Sequence, residues 1–186
     1  MLTKTVEATA RRSLTDGTAD APTVVCFVCT GNTCRSPMAA AVTNALEAER
    51  RSALPKDLQS LLPRPVLAIS RGLYADGSPL SQGALHALLE AGVTPVEGEN
   101  DYRTHVSQTM TAEDAERCDL LCAMTRGHAM ELLLRFPQCA GKILVMPTEI
   151  PDPYGGDADA YRACLAAIGD GVRALFFADG KEASEP

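Results

Sequence analysis

Thr23-Val-Val-Cys-Phe-Val-Cys29-Thr-Gly-Asn-Thr-Cys-Arg35-Ser-Pro37-Met38 is the stretch whose reading decides the fold. Thr23 to Val28 is a continuous apolar, β-branched run, the pattern of a strand buried on both faces. Pro37 suits the N1 position of a helix, where its missing N–H is no loss. Met38, Val42, Ala45 and Leu46 then recur at helical spacing. A strand therefore runs through one short loop into a helix.

The alternation continues outward from this unit. Val66–Ile69, Asp119–Met124 and Lys142–Met146 read as three further strands. Leu85, Leu88 and Leu89 mark a helix closed by Gly92. Thr111-Ala-Glu-Asp114 is a capping box that opens a short helix. Another helix begins near Arg126 and stops at Pro137. In the last, Tyr161, Leu165, Ile168, Val172 and Leu175 step by four and three. Strands alternating with helices predict an α/β fold, a three-layer arrangement with a parallel sheet flanked by helices on both faces. Ligands of such sheets bind outside the carboxyl ends of the strands. The charged, proline-punctuated segment 47–65 reads as a surface connection, partly helical. Residues 1–22 read as a polar leader, 23–180 as a single domain and 181–186 as a tail.

Bulk composition narrows the class. The chain has 186 residues, 46% of them hydrophobic and 22% charged, which suits one ordinary globular domain. Its net charge of −7 argues against nucleic acid as a partner. No apolar run approaches the roughly 20 residues of a membrane span, and the leader lacks the apolar core of a signal peptide. Seven cysteines without such a peptide predict free thiols in a reducing compartment, hence a cytoplasmic protein. A monomer without metal or cofactor is expected.

The chemistry sits in the loop Cys29 to Ser36. Its backbone N–H groups and the following helix N-terminus form a cradle for an anion. That field holds phosphoryl oxygens and stabilises Cys29 as an anionic nucleophile. Gly31 allows a backbone geometry that a side chain would obstruct. Arg35 supplies a planar, permanently charged fork for two phosphoryl oxygens. Ser36 can donate to the sulfur, and Asn32 can brace the loop. Thr30, Gly31, Asn32, Thr33, Cys34, Arg35 and Ser36 are thus the predicted phosphate-binding residues. The leaving group needs a proton, and Asp152 in Ile150-Pro-Asp152-Pro-Tyr154-Gly-Gly156 can supply it from a loop stiffened by two prolines. Alone, this aspartate would read as a turn residue before a helix; beside the Cys29 loop it reads as the general acid.

Val28-Cys-Thr-Gly-Asn-Thr-Cys-Arg-Ser-Pro-Met38 and Asp152-Pro-Tyr-Gly-Gly156 together resemble the low-molecular-weight protein-tyrosine phosphatases, including their bacterial protein-arginine-phosphatase branch. Ser70, the stretch from Gly72 to Pro79, His105-Val-Ser107 and Leu120 to Thr125 support the resemblance, which spans about residues 23–178; the 47–65 connection looks about ten residues longer than usual for the family. The resemblance implies a four-stranded sheet in the order 2-1-3-4 and a cysteinyl-phosphate intermediate on Cys29. It implies Asp152 as acid and then base, phosphorylated proteins as partners, and a supporting network of Asn32 and Ser36. Ser70 and His105 are candidates for that network, although His105 reads equally as a satisfied core histidine. Thr33 stands where tyrosine-directed members carry an aliphatic residue and the arginine-directed branch resembles this chain. It is equally a small polar loop residue. Tyr74 and Tyr154 would wall the substrate pocket, and Gly155 lacks a second aromatic. These features favour phosphoarginine over phosphotyrosine by a narrow margin. Family resemblance also implies a reversible disulfide between Cys34 and the nucleophile, hence redox regulation.

The rival within the same fold is a thioredoxin-linked arsenate reductase, which needs further cysteines as a relay. Cys118 and Cys122 do not have that relay's spacing. A non-catalytic phosphate-binding module and a zinc site on Cys118, Cys122 and His128 are weaker readings. Cys118 and Cys122 stand four apart and make no Cys-x-x-Cys pair for zinc.

Overall fold

The structure is a computed structural model, and it describes residues 21–96 and 101–177. The predicted leader, apart from residues 21 and 22, and the predicted tail lie outside the described residues. Four strands, β1 (Thr23–Cys29), β2 (Val66–Gly72), β3 (Leu120–Ala123) and β4 (Ile143–Val145), form one parallel sheet in the order β2-β1-β3-β4. Among the described residues five α-helices flank it: α1 (Arg35–Ser52), α2 (Gln82–Glu90), α3 (Ala112–Arg117), α4 (Arg126–Arg135) and α5 (Ala158–Val172). Three layers result, as the sequence predicts.

Alternation along the strands divides the core. Val25, Phe27 and Cys29 of β1 face a cluster with Met38 of α1, Leu88 of α2 and Ile168 of α5. Cys26 and Val28 face the opposite cluster, with Ala115 of α3 and Leu132 of α4. Successive strand side chains point to opposite faces, so both faces of β1 must be apolar. The two faces are thereby assigned to α1, α2 and α5 on one side and to α3 and α4 on the other.

Helix ends follow their local chemistry. Thr111 and Asp114 form the expected reciprocal capping box. Beyond α2, Gly92 takes a left-handed φ of 65°, with Gly92 N–H donating to Leu89 O and Val93 N–H to Leu88 O. This is the paired 5→2 and 6→1 closure that glycine permits. Two sequence expectations shift. The helix after the Cys29 loop begins at Arg35, so Pro37 is its third residue and not N1. It remains harmless there, because first-turn N–H groups have no intrahelical acceptor. That helix also runs to Ser52, taking the first residues of the 47–65 connection with it. Glu47 is buried on it and pairs with Arg50 and Arg51. A 3-10 turn over Lys56–Leu61 supplies the rest of the expected partial helix.

Asn44 of α1 clamps the edge strand β2: its Nδ2 donates to Ala68 O at 2.9 Å and its Oδ1 accepts Ala68 N–H at 2.8 Å. A side-chain amide so placed satisfies both backbone groups that a neighbouring strand would otherwise use. Among the described residues, no helix is long and apolar enough to cross a membrane.

Candidate active site

The site is built where β1 ends. Cys29 and Thr30 carbonyls accept the N–H groups of Leu73 and Tyr74, both at 2.9 Å, which tie the loop to the end of β2. The contact is close: a Cβ on Gly72 would lie 2.8 Å from Thr30 O and 3.0 Å from Asn32 Cβ. Only glycine fits there.

Asn32 is the hub of the loop. It is fully buried with φ 57°, the one non-glycine residue in the left-handed region among those described. Every polar group of its side chain is engaged. Nδ2 donates to Ser36 Oγ at 3.0 Å and to Ser70 Oγ at 2.9 Å, while Oδ1 accepts Gln108 N–H at 2.9 Å. Its carbonyl lies 2.8 Å from His105 Nε2, and its N–H points at Cys29 Sγ from 3.3 Å. These bonds offset the cost of the left-handed backbone, of order 1 kcal/mol for a non-glycine residue. His105 and Ser70 are therefore part of one network with Asn32. Burial pushes the His105 pKa below its usual value, partly opposed by its bond to the Asn32 carbonyl. The neutral ring can then donate from Nε2.

Cys29 Sγ lies 3.0 Å from Ser36 Oγ. Ser36 already accepts from Asn32, so its single proton goes either to Arg71 O at 3.3 Å or to the sulfur. An ionised sulfur is the stronger acceptor and draws it. Helix α1 points its N-terminus into the same space. Cys34 is its N-cap, no side chain caps it, and its first turn holds no acidic residue. The positive end of the helix dipole thus faces the sulfur uncompensated.

Arg35 is buried, and its Nη2 contacts Asp152 Oδ2 at 2.6 Å while Nη1 reaches Ile150 O at 3.5 Å. The carboxylate is half exposed on the rim, with Oδ1 accepting Tyr154 N–H at 3.3 Å. The loops after β1 and β4 therefore meet above the sheet's carboxyl edge.

A cavity of about 500 Å³ opens over the sulfur. Of the sequence-predicted residues, Cys29, Thr30, Gly31, Thr33, Cys34, Arg35, Tyr74, Asp152 and Tyr154 line it. Asn32 and Ser36 do not: their side chains lie behind the loop and brace it, whereas the sequence grouped them with the phosphate contacts. Tyr74 is fixed by the Arg135 guanidinium stacked 4.4 Å from its ring centre and by its hydroxyl donating to Glu131 Oε1 at 2.9 Å. Cys34 Sγ lies 3.1 Å from Ser81 Oγ. Sequence reasoning missed Ser81, the N-cap of α2, and the role of His128, which contacts Thr30. The Thr125-x-x-His128 spacing at a helix start was the available signal. A larger groove of about 990 Å³ lies between the C-terminal halves of α1, α2 and α5 and contains none of these groups.

Cys164 of α5 lies in the same core cluster as Cys29 and Cys34, and burial pushes its thiol up to about 12. Cys118 and Cys122 do not line the cavity. Cys122 packs against Met146 in one core cluster, and Cys118 sits in the other. Among the described residues, no three His, Cys, Asp or Glu side chains are gathered as metal ligands would be.

Comparison with known proteins follows the same loop. The family model described as "Low molecular weight phosphotyrosine protein phosphatase" matches residues 24–53 and 90–185. A protein-arginine-phosphatase of Geobacillus stearothermophilus is 32% identical over 150 residues, covering 76% of this chain and 86% of that protein. A probable low molecular weight protein-tyrosine-phosphatase, EpsP of Ralstonia solanacearum, is 30% identical over 155 residues, covering 81% and 91%. The crystal structure of the low molecular weight protein tyrosine phosphatase from T. tengcongensis superposes with a TM-score of 0.68 at 29% identity, covering 82% of this chain and 96% of that one.

Proposed function

Because this chain belongs to the low-molecular-weight protein-tyrosine phosphatase family and is thus a cysteine-dependent protein phosphatase, we propose that it hydrolyses phosphoarginine in proteins in preference to phosphotyrosine, with Cys29, Arg35 and Asp152 as its catalytic residues. The observation that carries the residue roles is one cavity with the Cys29 sulfur at its floor, an uncapped helix N-terminus beside it, and Arg35 and Asp152 at its rim.

Entry of a phosphoryl group draws the Arg35 fork from Asp152 to two phosphoryl oxygens, a geometry it matches bidentately. Cys29 Sγ attacks phosphorus, and the bond to the leaving nitrogen or oxygen breaks. Asp152, in protonated form, gives its proton to that atom. Water then attacks the cysteinyl phosphate, Asp152 takes its proton, and phosphate leaves as the sulfur regains its electron pair. Ser36 Oγ–H steadies the sulfur at both ends of the cycle. Asp152→Ala is expected to slow substrates with poor leaving groups about 10²-fold or more, and those with good leaving groups far less. Rates across a series of aryl phosphates of graded leaving-group acidity check this; equal slowing across the series would remove Asp152 from the acid role.

Substrate choice rests on Thr33 and the rim. The Thr33 hydroxyl can hydrogen-bond around a P–N bond, as an aliphatic side chain cannot. Gly155 has φ 77°, so an aromatic side chain there would be strained, which keeps the rim beside Tyr154 open to a polar guanidinium. The arginine-phosphatase relative supports the same choice. Turnover of matched phosphoarginine and phosphotyrosine peptides tests it. Wild type should favour phosphoarginine, and Thr33→Ile should shift the ratio about tenfold toward phosphotyrosine, the scale of one lost hydrogen bond to a charged group. A wild-type preference for phosphotyrosine, or an unmoved ratio, would overturn it. The arsenate-reductase reading has less support, since a relay needs thiols that can reach the nucleophile. Cys118 and Cys122 lie on opposite faces of the sheet, and burial pushes the Cys122 thiol far up.

Redox control belongs to the same proposal. Peroxide converts the Cys29 thiolate to a sulfenic acid with release of hydroxide, and the Cys34 thiol then attacks that sulfur, releasing water and leaving a disulfide that a thiol reductant reverses. Both thiols line one cavity. Wild type should regain most activity after peroxide and reductant, whereas Cys34→Ser should stay largely inactive. Full recovery by Cys34→Ser would end the idea.

A further inference from the structure

His128 lies in the first turn of α4 and is buried. Both ring nitrogens are engaged: Nε2 is 3.0 Å from Thr30 Oγ1, and Nδ1 is 2.9 Å from Thr125 Oγ1. Thr125 is the N-cap of α4, and its Oγ1 also accepts the His128 backbone N–H at 3.3 Å. Burial above all, and then the nearby Arg35 charge, push the His128 pKa below its usual value, while Asp152 acts weakly the other way. The ring is therefore neutral at neutral pH and carries one proton.

Hydrogen-bond counting distinguishes its two tautomers. With the proton on Nδ1, Nδ1–H donates to Thr125, and Thr30 must spend its own hydroxyl proton on Nε2. With the proton on Nε2, Thr125 O–H donates to Nδ1, Nε2–H donates to Thr30, and the Thr30 proton is left over. Thr30 is exposed, lines the catalytic cavity and directly follows the nucleophile. Its backbone is held by Tyr74 N–H and by the close approach of Gly72. An anion in the cavity offers the left-over proton an acceptor, so it selects the second tautomer. The hydroxyl then points a fixed donor where charge gathers in the reaction, and needs no reorientation at that moment.

We propose that His128 is a positioning residue: through the Thr125–His128–Thr30 chain it turns the Thr30 hydroxyl into a hydrogen-bond donor to the phosphoryl group held over Cys29. The inference rests on the phosphatase reading of the Cys29 loop. It adds a side-chain contact to the backbone cradle, and it gives the start of α4 a part in binding.

The test compares wild type, Thr30→Val, Thr30→Ser, His128→Leu and the Thr30→Val/His128→Leu double variant. Readouts are kcat/KM on p-nitrophenyl phosphate and competitive inhibition by inorganic phosphate. Thr30→Val and His128→Leu should each lower kcat/KM about tenfold and weaken phosphate inhibition by a similar factor. Thr30→Ser, which keeps the hydroxyl, should recover most of the loss. The double variant should be no worse than either single one, since both remove the same bond. The proposal is overturned if Thr30→Val leaves phosphate inhibition unchanged, if Thr30→Ser loses as much as Thr30→Val, or if the two single losses multiply. Should His128→Leu fail to fold, the exposed Thr30 pair still decides. A wild type that hydrolyses nothing would sink the phosphatase reading; an active wild type with indifferent Thr30 variants would sink this inference alone.

Discussion

Cys29→Ser is expected to lower kcat by about 10⁴-fold or more, the scale seen when a covalent nucleophile is removed, while inorganic phosphate still binds within a few-fold of wild type. The two halves of this expectation come from different atoms. Turnover needs an ionisable sulfur where Asn32 N–H and Ser36 Oγ converge, at 3.3 and 3.0 Å. A serine hydroxyl there stays protonated and attacks poorly. In the proposed mechanism phosphate binding rests on the loop backbone, the uncapped start of α1 and Arg35, and the substitution alters none of them. Steady-state rates together with a phosphate inhibition constant check it. Wild-type-like turnover would assign the nucleophile elsewhere; lost phosphate binding would mean that the loop depends on the sulfur for its shape.

Arg35→Ala is expected to cost both properties, with kcat/KM falling about 10³-fold or more, as when a charge clamp on a transferring phosphoryl group is removed. The guanidinium is buried at the rim, and its partner Asp152 is half exposed. Removing the arginine leaves the carboxylate facing water, so the fold is not burdened with a buried lone charge. The loss should therefore appear in kinetics and phosphate inhibition, with thermal unfolding little changed. Arg35→Lys should recover little, because an ammonium is a point charge and cannot present two parallel donors. A variant that keeps phosphate binding would remove Arg35 from the clamp role.

The unit β1–loop–α1 was legible because all its determinants are contiguous. The apolar run fixes a doubly buried strand, and the loop between Cys29 and Arg35 can only arch over the strand's end. The helix pattern after Met38 was equally plain, although its start was set two residues late by reading Pro37 as N1. The sheet order came from family resemblance, because periodicity alone does not say which strand lies beside which. The Asn32 hub was only partly legible. Its partners Ser70, His105 and Gln108 come from other segments, and the need for glycine at 72 arises only when β2 presses against Thr30 O. The Arg35–Asp152 contact joins residues 117 positions apart, and no local pattern encodes it. His128 reads as a candidate metal ligand in sequence because Thr30, 98 positions away, meets it only in the fold, and the nearby Thr125 alone does not reveal the pairing.

The most direct test of the account is acid quenching of Asp152→Ala during turnover of a good-leaving-group aryl phosphate, followed by peptide mass mapping. The account predicts one phosphoryl group, carried on the sulfur of Cys29, because the first transfer then outruns hydrolysis. A phosphoryl group on any other residue, or turnover that never labels the chain, would contradict it.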